Sequence, residues 1–330
     1  MTEFQSLRVH VENDHIVRRI ETLTLEDLPD HEVLIQVHYS GINFKDALSA
    51  NGHTGITRHY PHTPGIDASG IVQSDSSGTF ETGEPVVVIG FDLGMNTHGG
   101  LSEYIRVPKD WVVRLPKGIS LSDAMRIGTA GLTAGYCVEK LLQNGFSGKH
   151  ANVLVTGATG GVGSLAIHLL STLGYQVTAS SGKPEQSEWL MQIGAQKVID
   201  RNDLSFAKPK ALLPESFDAA IDTVGQDTLV NILKSLKYGG SVAACGIVGG
   251  TSIPLDIYPF ILRHVNLLGV ASATATLADR TRVFAKFASH WRLNLLTELC
   301  EEIKLEDVSD RIDAMLSGKI SRRALVKLCK

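Results

Sequence analysis

Cysteine clusters, long apolar runs and a one-sided charge are all missing from this chain. Its four cysteines, Cys137, Cys245, Cys300 and Cys329, lie far apart and form no CxxC pair. That spacing supports neither a disulfide framework nor a zinc knuckle. No stretch approaches the roughly 18 uninterrupted apolar residues of a membrane span, and no membrane partner is expected. The opening MTEFQSLRVHVEND lacks the apolar core of a signal peptide, so a soluble, cytoplasmic protein is expected. Net charge is only −4, and without a basic field no nucleic-acid partner is expected. No repeat or low-complexity tract is present. What is plentiful is glycine, 32 residues, and apolar content, 43% of 330 residues. That length favours two domains, or one domain with a large lobe, around a substantial core.

The first 115 or so residues read as short strands and turns. HEVLIQVHYSGI alternates and ends in a glycine turn, EPVVVIG is a buried strand, and HGGLSEYIRVP alternates up to Pro108. At Ser120 the pattern changes. SLSDAMRIGTAGLTAGYCVEKLLQNG has a serine cap and helix-period apolar residues. Strand and helix patterns then alternate. ANVLVTG, YQVTASSG, KVID, FDAAIDTVG and SVAACGIVGG read as strands, and GGVGSLAIHLLSTLG, PEQSEWLMQIGA and QDTLVNILKSLKYGG as helices. This is the grammar of an α/β, doubly wound parallel sheet. The tail is helical at first, ends in the strand-like RRALVKL, and is expected to return to the first lobe. The expected domains are residues 1–118, 119–270 and 271–330.

NVLVTGATGGVGSLAIHLL is the strongest motif. A buried strand runs into a glycine-rich turn that opens a helix, with Ala158 at the first position of an AxGxxG pattern. Gly160 lets the backbone approach a pyrophosphate, and Gly163 allows close helix–strand packing. The N–H groups and positive dipole of the helix N-terminus attract phosphate. Thr159, Gly161 and Val162 complete the cradle. An NAD site usually carries an acid about 20 residues on, for the ribose 2′-OH. Here Ser180, Ser181, Gly182 and Lys183 stand in that place, with no acid before Glu185. Hydroxyls and a cation suit a 2′-phosphate, and Arg201 adds a second cation. NADPH is the expected cofactor. The alternatives are a turn that serves packing alone and, for Lys183, an ordinary solvated lysine.

A β-rich lobe followed by this unit resembles the medium-chain dehydrogenase/reductase superfamily over essentially the whole chain. GINFKDAL, YPHTPGIDASGIV, GMNTHGGLSEYIRV, MRIGTAGLTA, VTGATGGVGS, AIDTVG, YGGSVAACGIVGG and PFILRHVNLLGV resemble one non-zinc branch more closely, the quinone-oxidoreductase-like acryloyl-CoA reductases. The resemblance implies a GroES-like catalytic lobe, a Rossmann domain, and NADPH-dependent reduction of the C=C bond of acryloyl-CoA or a related α,β-unsaturated carbonyl. It also implies a homodimer. In the zinc branch, cysteine follows the strand that reads VHYSGI here, and the next ligand segment reads Gly-His-Glu. This chain has Asn43 and Gly65-Ile66-Asp67 instead, IGTAGLTAGY holds no cysteine, and the four-cysteine structural zinc loop is absent. An isoleucine cannot ligate zinc and an amide replaces thiolate poorly, so no metal is expected.

Hydride addition to an enoyl thioester puts negative charge on its oxygen, and a proton must reach Cα. By the resemblance Asn43 lies next to the nicotinamide, with an amide able to donate to that oxygen or to the cofactor carboxamide. Asp67 could orient Asn43, Lys45 or a water; its alternative is an Asx-type turn after Pro64-Gly65. The proton-donor position of some relatives is Phe44 here, so Tyr39, Tyr60, a substrate hydroxyl or solvent must be weighed. Thr129, Thr133, Cys245, Gly246 and Ile247 are expected at the cofactor, with Cys245 more a small apolar residue than a nucleophile. Tyr60, Arg263 and Arg323 are candidate substrate contacts, Arg263 being equally readable as a structural pair. His98 reads as a loop histidine. Competing functions are a quinone reductase on the same fold and a non-catalytic nucleotide-binding protein.

Overall fold

A computed structural model describes residues 2–148, 150–206 and 208–329. The strands are β1 (Glu3–Glu12), β2 (His15–Thr24), β3 (Val33–Ile42), β4 (Asp67–Asp75), β5 (Pro85–Ile89), β6 (Tyr104–Val107), β7 (Val112–Arg114), β8 (Asn152–Val155), β9 (Gln176–Ser181), β10 (Lys197–Asp200), β11 (Phe217–Asp222), β12 (Leu236–Ala244), β13 (Asn266–Gly269), β14 (Cys300–Lys304) and β15 (Arg323–Lys327). The helices are α1 (Phe44–Ser49), α2 (Leu121–Gln143), α3 (Gly161–Thr172), α4 (Ser187–Gln192), α5 (Asn202–Ser205), α6 (Gln226–Ser235), α7 (Tyr258–Arg263), α8 (Leu277–Ala288), α9 (Leu296–Leu299) and α10 (Val308–Leu316). No helix among the described residues is long and apolar enough to cross a membrane.

The chain forms two compact units. One takes in the chain up to Thr129, Ala273–Ser289 and the segment from Leu296 onward; the other is Ala130–Ser272 with His290–Leu295. In the first unit, β1 and β2 make a hairpin whose two turn residues, Asn13 and Asp14, take positive φ, 49° and 64°. That is the twist a two-residue hairpin needs, in residues that tolerate it. A seven-stranded sheet runs β14-β15-β3-β4-β5-β7, with β6 also on β3. Its core is aliphatic: Val33, Ile35, Val37, Val86, Val88, Leu101, Ile105 and Val326 are all buried. The register is what builds the site. Ala324 of β15 pairs with Ile42 of β3, and Ala68 of β4 pairs with Ser40. Arg323 and Asp67 are thereby brought to the end of β3 where Asn43 begins α1.

The second unit is a six-stranded sheet in the order β10-β9-β8-β11-β12-β13, every pair parallel. Two elements differ from the sequence reading. PEQSEWLMQIGA keeps only a six-residue helix after a 3-10 turn at Pro184–Gln186. QDTLVNILKSLKYGG is helical only to Ser235, because Leu236 already pairs with Phe217 as the start of β12. In α2 the periodicity is interrupted at Gly128, whose φ of 48° and ψ of −158° leave the helical region.

Candidate active site

Asp67 is fully buried at the first position of β4, and it is not a turn former. Its Oδ2 accepts from the Arg323 guanidinium at 2.5 Å, the Asn43 amide at 2.9 Å and the Thr129 backbone N–H at 2.9 Å. Its Oδ1 accepts from the Thr129 hydroxyl at 2.5 Å. Arg323, only 4% exposed, also donates to Asn43 Oδ1 at 2.7 Å and to the Met125 carbonyl at 3.0 Å. A buried carboxylate is tolerable only when paired and hydrogen-bonded, and here both conditions hold. Gly128 is the residue that makes room. A Cβ there would overlap the Arg323 guanidinium and lie 2.6 Å from Asp67 Oδ2.

Asn43 caps α1. Its amide hydrogens go to Asp67 Oδ2 and, at 3.2 Å, to Asp46 Oδ2, so a bond to a substrate oxygen would have to displace one of them. Lys45 follows on α1, half-buried, next to a half-exposed Phe44. The donor set does not suit a metal. Ile66 offers no ligand atom, and a guanidinium against Asp67 opposes a dication. Among the described residues no group of three His, Cys, Asp or Glu side chains could hold a metal ion.

In the second unit a cleft of about 580 Å³ is lined by Ala158, Thr159, Gly160, Ser180, Ser181, Lys183 and Arg201, among others. The glycine-rich turn at its base is tightly built. Gly157 has φ 58°, and a Cβ at Gly163 would overlap the Gly157 carbonyl and lie 2.9 Å from the Ala158 Cα. Gly161, Val162 and Gly163 form the first turn of α3, so its N–H groups open toward the turn. At the end of β9, Arg201 packs over Gly182, where a Cβ would lie 2.5 Å from its Nε. Two hydroxyls and two cations therefore share this corner. A dinucleotide with a 2′-phosphate fits these groups: backbone for pyrophosphate, cations for phosphate, and no acid at the end of β9 for a 2′-OH.

Several residues expected at the cofactor or substrate make bonds within the protein. Arg263 donates to the carbonyls of Lys234, Leu236 and Leu213 and pairs with Glu215 at 3.3 Å, a structural role. Arg323 is consumed by Asp67 and Asn43. Thr129 serves Asp67, and Thr133 donates to the Ser272 hydroxyl at 2.7 Å. Tyr60 packs against the first unit's core and donates to the Ser49 carbonyl at 3.1 Å. Cys245 and Gly246 lie against Asp222 and Thr223, outside the lining of the cleft, while Ile247 is exposed. His98 is buried on Ser102, and burial drives its pKa down to about 3, so it stays neutral.

Two carboxylates escaped the sequence reading. Asp222 is buried at the end of β11, accepts from the Thr156 hydroxyl at 2.6 Å and from the Gly225 N–H at 2.8 Å, and braces the turn. Burial raises its carboxyl. Asp46 holds Asn43. Both sit in motifs, AIDTVG and GINFKDAL, whose acids offered no catalytic spacing. Asn202, Ser205, Phe206, Gln226 and Thr228 also line the cleft.

Residues 161–289 match the zinc-binding dehydrogenase family and residues 29–117 the alcohol dehydrogenase GroES-like domain. The chain belongs to the medium-chain dehydrogenase/reductase superfamily, in the branch of the acryloyl-CoA reductases and their quinone-oxidoreductase-like relatives. It is 43% identical over 328 residues, 99% of each chain, to the putative quinone oxidoreductase YhfP of Bacillus subtilis. It is 38% identical over 324 residues, 98% of this chain and 99% of the other, to the probable acrylyl-CoA reductase AcuI of Escherichia coli. The crystal structure of the Salmonella enterica yhdH oxidoreductase in complex with NADP matches with a TM-score of 0.95 and 39% identity, over 98% of this chain and 100% of that one. That of B. subtilis yhfP with NAD bound matches with a TM-score of 0.96 and 42% identity, over 99% and 100%.

Proposed function

We propose that this chain is a zinc-independent, NADPH-dependent reductase that saturates the C=C bond of an α,β-unsaturated carbonyl, with acryloyl-CoA, reduced to propionyl-CoA, as its leading substrate. The observation that carries the cofactor is the corner of Ser180, Ser181, Lys183 and Arg201, with no acid at the end of β9. The likeness to AcuI supports the substrate. The same reading makes the protein a cytoplasmic homodimer. Ile261 and Leu262, 66% and 57% exposed on α7, the helix that precedes the edge strand β13 in the chain, favour a second copy there.

Bound NADPH supplies the hydride that adds to the carbon β to the carbonyl. Solvent supplies the proton that completes the reduction at Cα, and the chain's own groups bind and orient. The turn from Gly157 to Gly160 and the first turn of α3 would hold the pyrophosphate, and Lys183 and Arg201 would hold the 2′-phosphate by charge-assisted bonds. Asp67 and Arg323 fix the Asn43 amide, which with Lys45 forms the polar group assigned to the thioester oxygen. To donate to that oxygen the Asn43 amide would exchange its 3.2 Å bond to Asp46 for one to the developing charge, and a donor held in place on that charge stabilises the transition state.

NADPH oxidation measured against acryloyl-CoA, crotonyl-CoA, simple enones and quinones tests the reading. Turnover of the acyl thioesters is the expected result. Turnover of quinones alone establishes the second reading, which the name of the YhfP relative favours. No turnover with any acceptor leaves a nucleotide-binding protein.

A further inference from the structure

Asp46 has no part in the functions described above, yet it is as buried as Asp67. Its Oδ1 accepts the backbone N–H groups of Gly65 at 3.2 Å and Ile66 at 2.8 Å. Its Oδ2 accepts the backbone N–H of Asn43 at 2.7 Å and one amide hydrogen of Asn43 at 3.2 Å. The other amide hydrogen goes to Asp67. One amide thus spans two buried carboxylates. A single buried guanidinium, Arg323, faces them, and it binds Asp67 and the Asn43 oxygen. With both carboxylates ionised this cluster carries one surplus negative charge, and with one proton it is neutral.

The surrounding charges do not cancel the surplus. From α10, Arg311 pairs with Glu301 and Asp313 with Arg18, while Asp310 is exposed. Lys45, on the same helix, is half-buried. Burial and the neighbouring Asp67 raise the Asp46 carboxyl to about 7, against the pull of the Asn43 and Ile66 N–H donors.

We propose that Asp46 is a positioning residue that carries the cluster's one proton during turnover, so that Asn43, Asp67 and Arg323 meet the developing enolate as a neutral group. The inference rests on the enone-reductase reading. A reaction that builds negative charge on a carbonyl oxygen is disfavoured by a surplus buried carboxylate nearby. Asp46 itself does not touch the substrate. It acts through Asn43, by holding the amide and by withholding a charge.

The test is the pH profile of kcat/KM with NADPH and the enone that the acceptor panel identifies. The wild type is expected to lose about tenfold per pH unit above pH 7. Asp46→Asn removes the titratable group, although its NH2 stands where one oxygen accepted N–H bonds, so it is compared with itself: its rate should stay within about threefold of its own pH 6 value up to pH 9. An alkaline limb that persists in folded Asp46→Asn overturns the proposal. So does a uniform loss of rate with an unchanged profile, the mark of a merely structural residue. If the variant does not fold, carboxyl 13C NMR of the wild type, with Asp46 assigned through its own Cβ, reads the proton directly. A midpoint near 7 is expected, and one below about 5 overturns the proposal. A wild type that reduces no enone overturns the reading of the reaction and this inference with it, whereas an active wild type with the limb intact in Asp46→Asn overturns this inference alone.

Discussion

Asp67 precedes an apolar strand because Arg323 is waiting for it. A carboxylate fully removed from water is held by that ion pair and three further hydrogen bonds. Removing one partner of such a pair leaves an uncompensated buried charge, which costs about 3–5 kcal/mol. Arg323→Met should lower stability by about that amount in denaturant unfolding, and Gly128→Ala should act in the same direction by displacing the guanidinium. Asp67→Asn should be far from silent for the same reason. Asp46 gives a stability effect with a defined sign. Its carboxyl is raised from its usual 3.8 to about 7, so between those values the native state holds a proton that the unfolded chain has released. Native stability should fall as pH rises across that window and level off above it. The Tm difference between wild type and Asp46→Asn, followed from about pH 4 to 8, should show that slope in the wild type only. The sequence made Asn43 and Asp67 visible through the motifs around them. Arg323 was assigned to the substrate instead, because its partnership depends on the β15–β3 register across 256 residues of chain, which no local pattern encodes.

The strand, glycine-rich turn and helix proposed as the dinucleotide cradle are legible as elements because their constraints are local. A buried strand, a glycine-rich turn and a helix follow one another within NVLVTGATGGVGSLAIHLL, and each glycine answers to an atom a few residues away. Gly163→Val should therefore force α3 away from the turn and weaken NADPH binding by tenfold or more, roughly the loss of one charge-assisted bond of 1.5–3 kcal/mol; fluorescence titration measures it. The boundaries of α4 and β12 were less legible. Both are decided by pairing, with β10 and β11 fixing where the chain must straighten. The kink of α2 is of the same kind: Gly128 leaves the helical region where Arg323, distant in sequence, takes the space.

For the whole molecule, strand and helix patterns were enough to predict a β-rich lobe and a doubly wound sheet, and the relatives share that architecture over nearly the full chain. With Ser180, Ser181, Lys183 and Arg201 as the proposed seat of the 2′-phosphate, NADPH should bind at least about tenfold tighter than NADH, and Lys183→Ala or Arg201→Ala should narrow the gap. Equal dissociation constants would contradict that assignment, and the NAD-bound relative makes the comparison informative. The central claim concerns the bond that is reduced. The measurement that reaches it most directly is deuteride transfer from NADPH carrying deuterium at both nicotinamide C4 positions to acryloyl-CoA, with the product analysed by mass spectrometry and NMR. The account predicts propionyl-CoA with one deuterium on the carbon β to the thioester. NADPH consumed only with quinones, or propionyl-CoA without the label at that carbon, would contradict it.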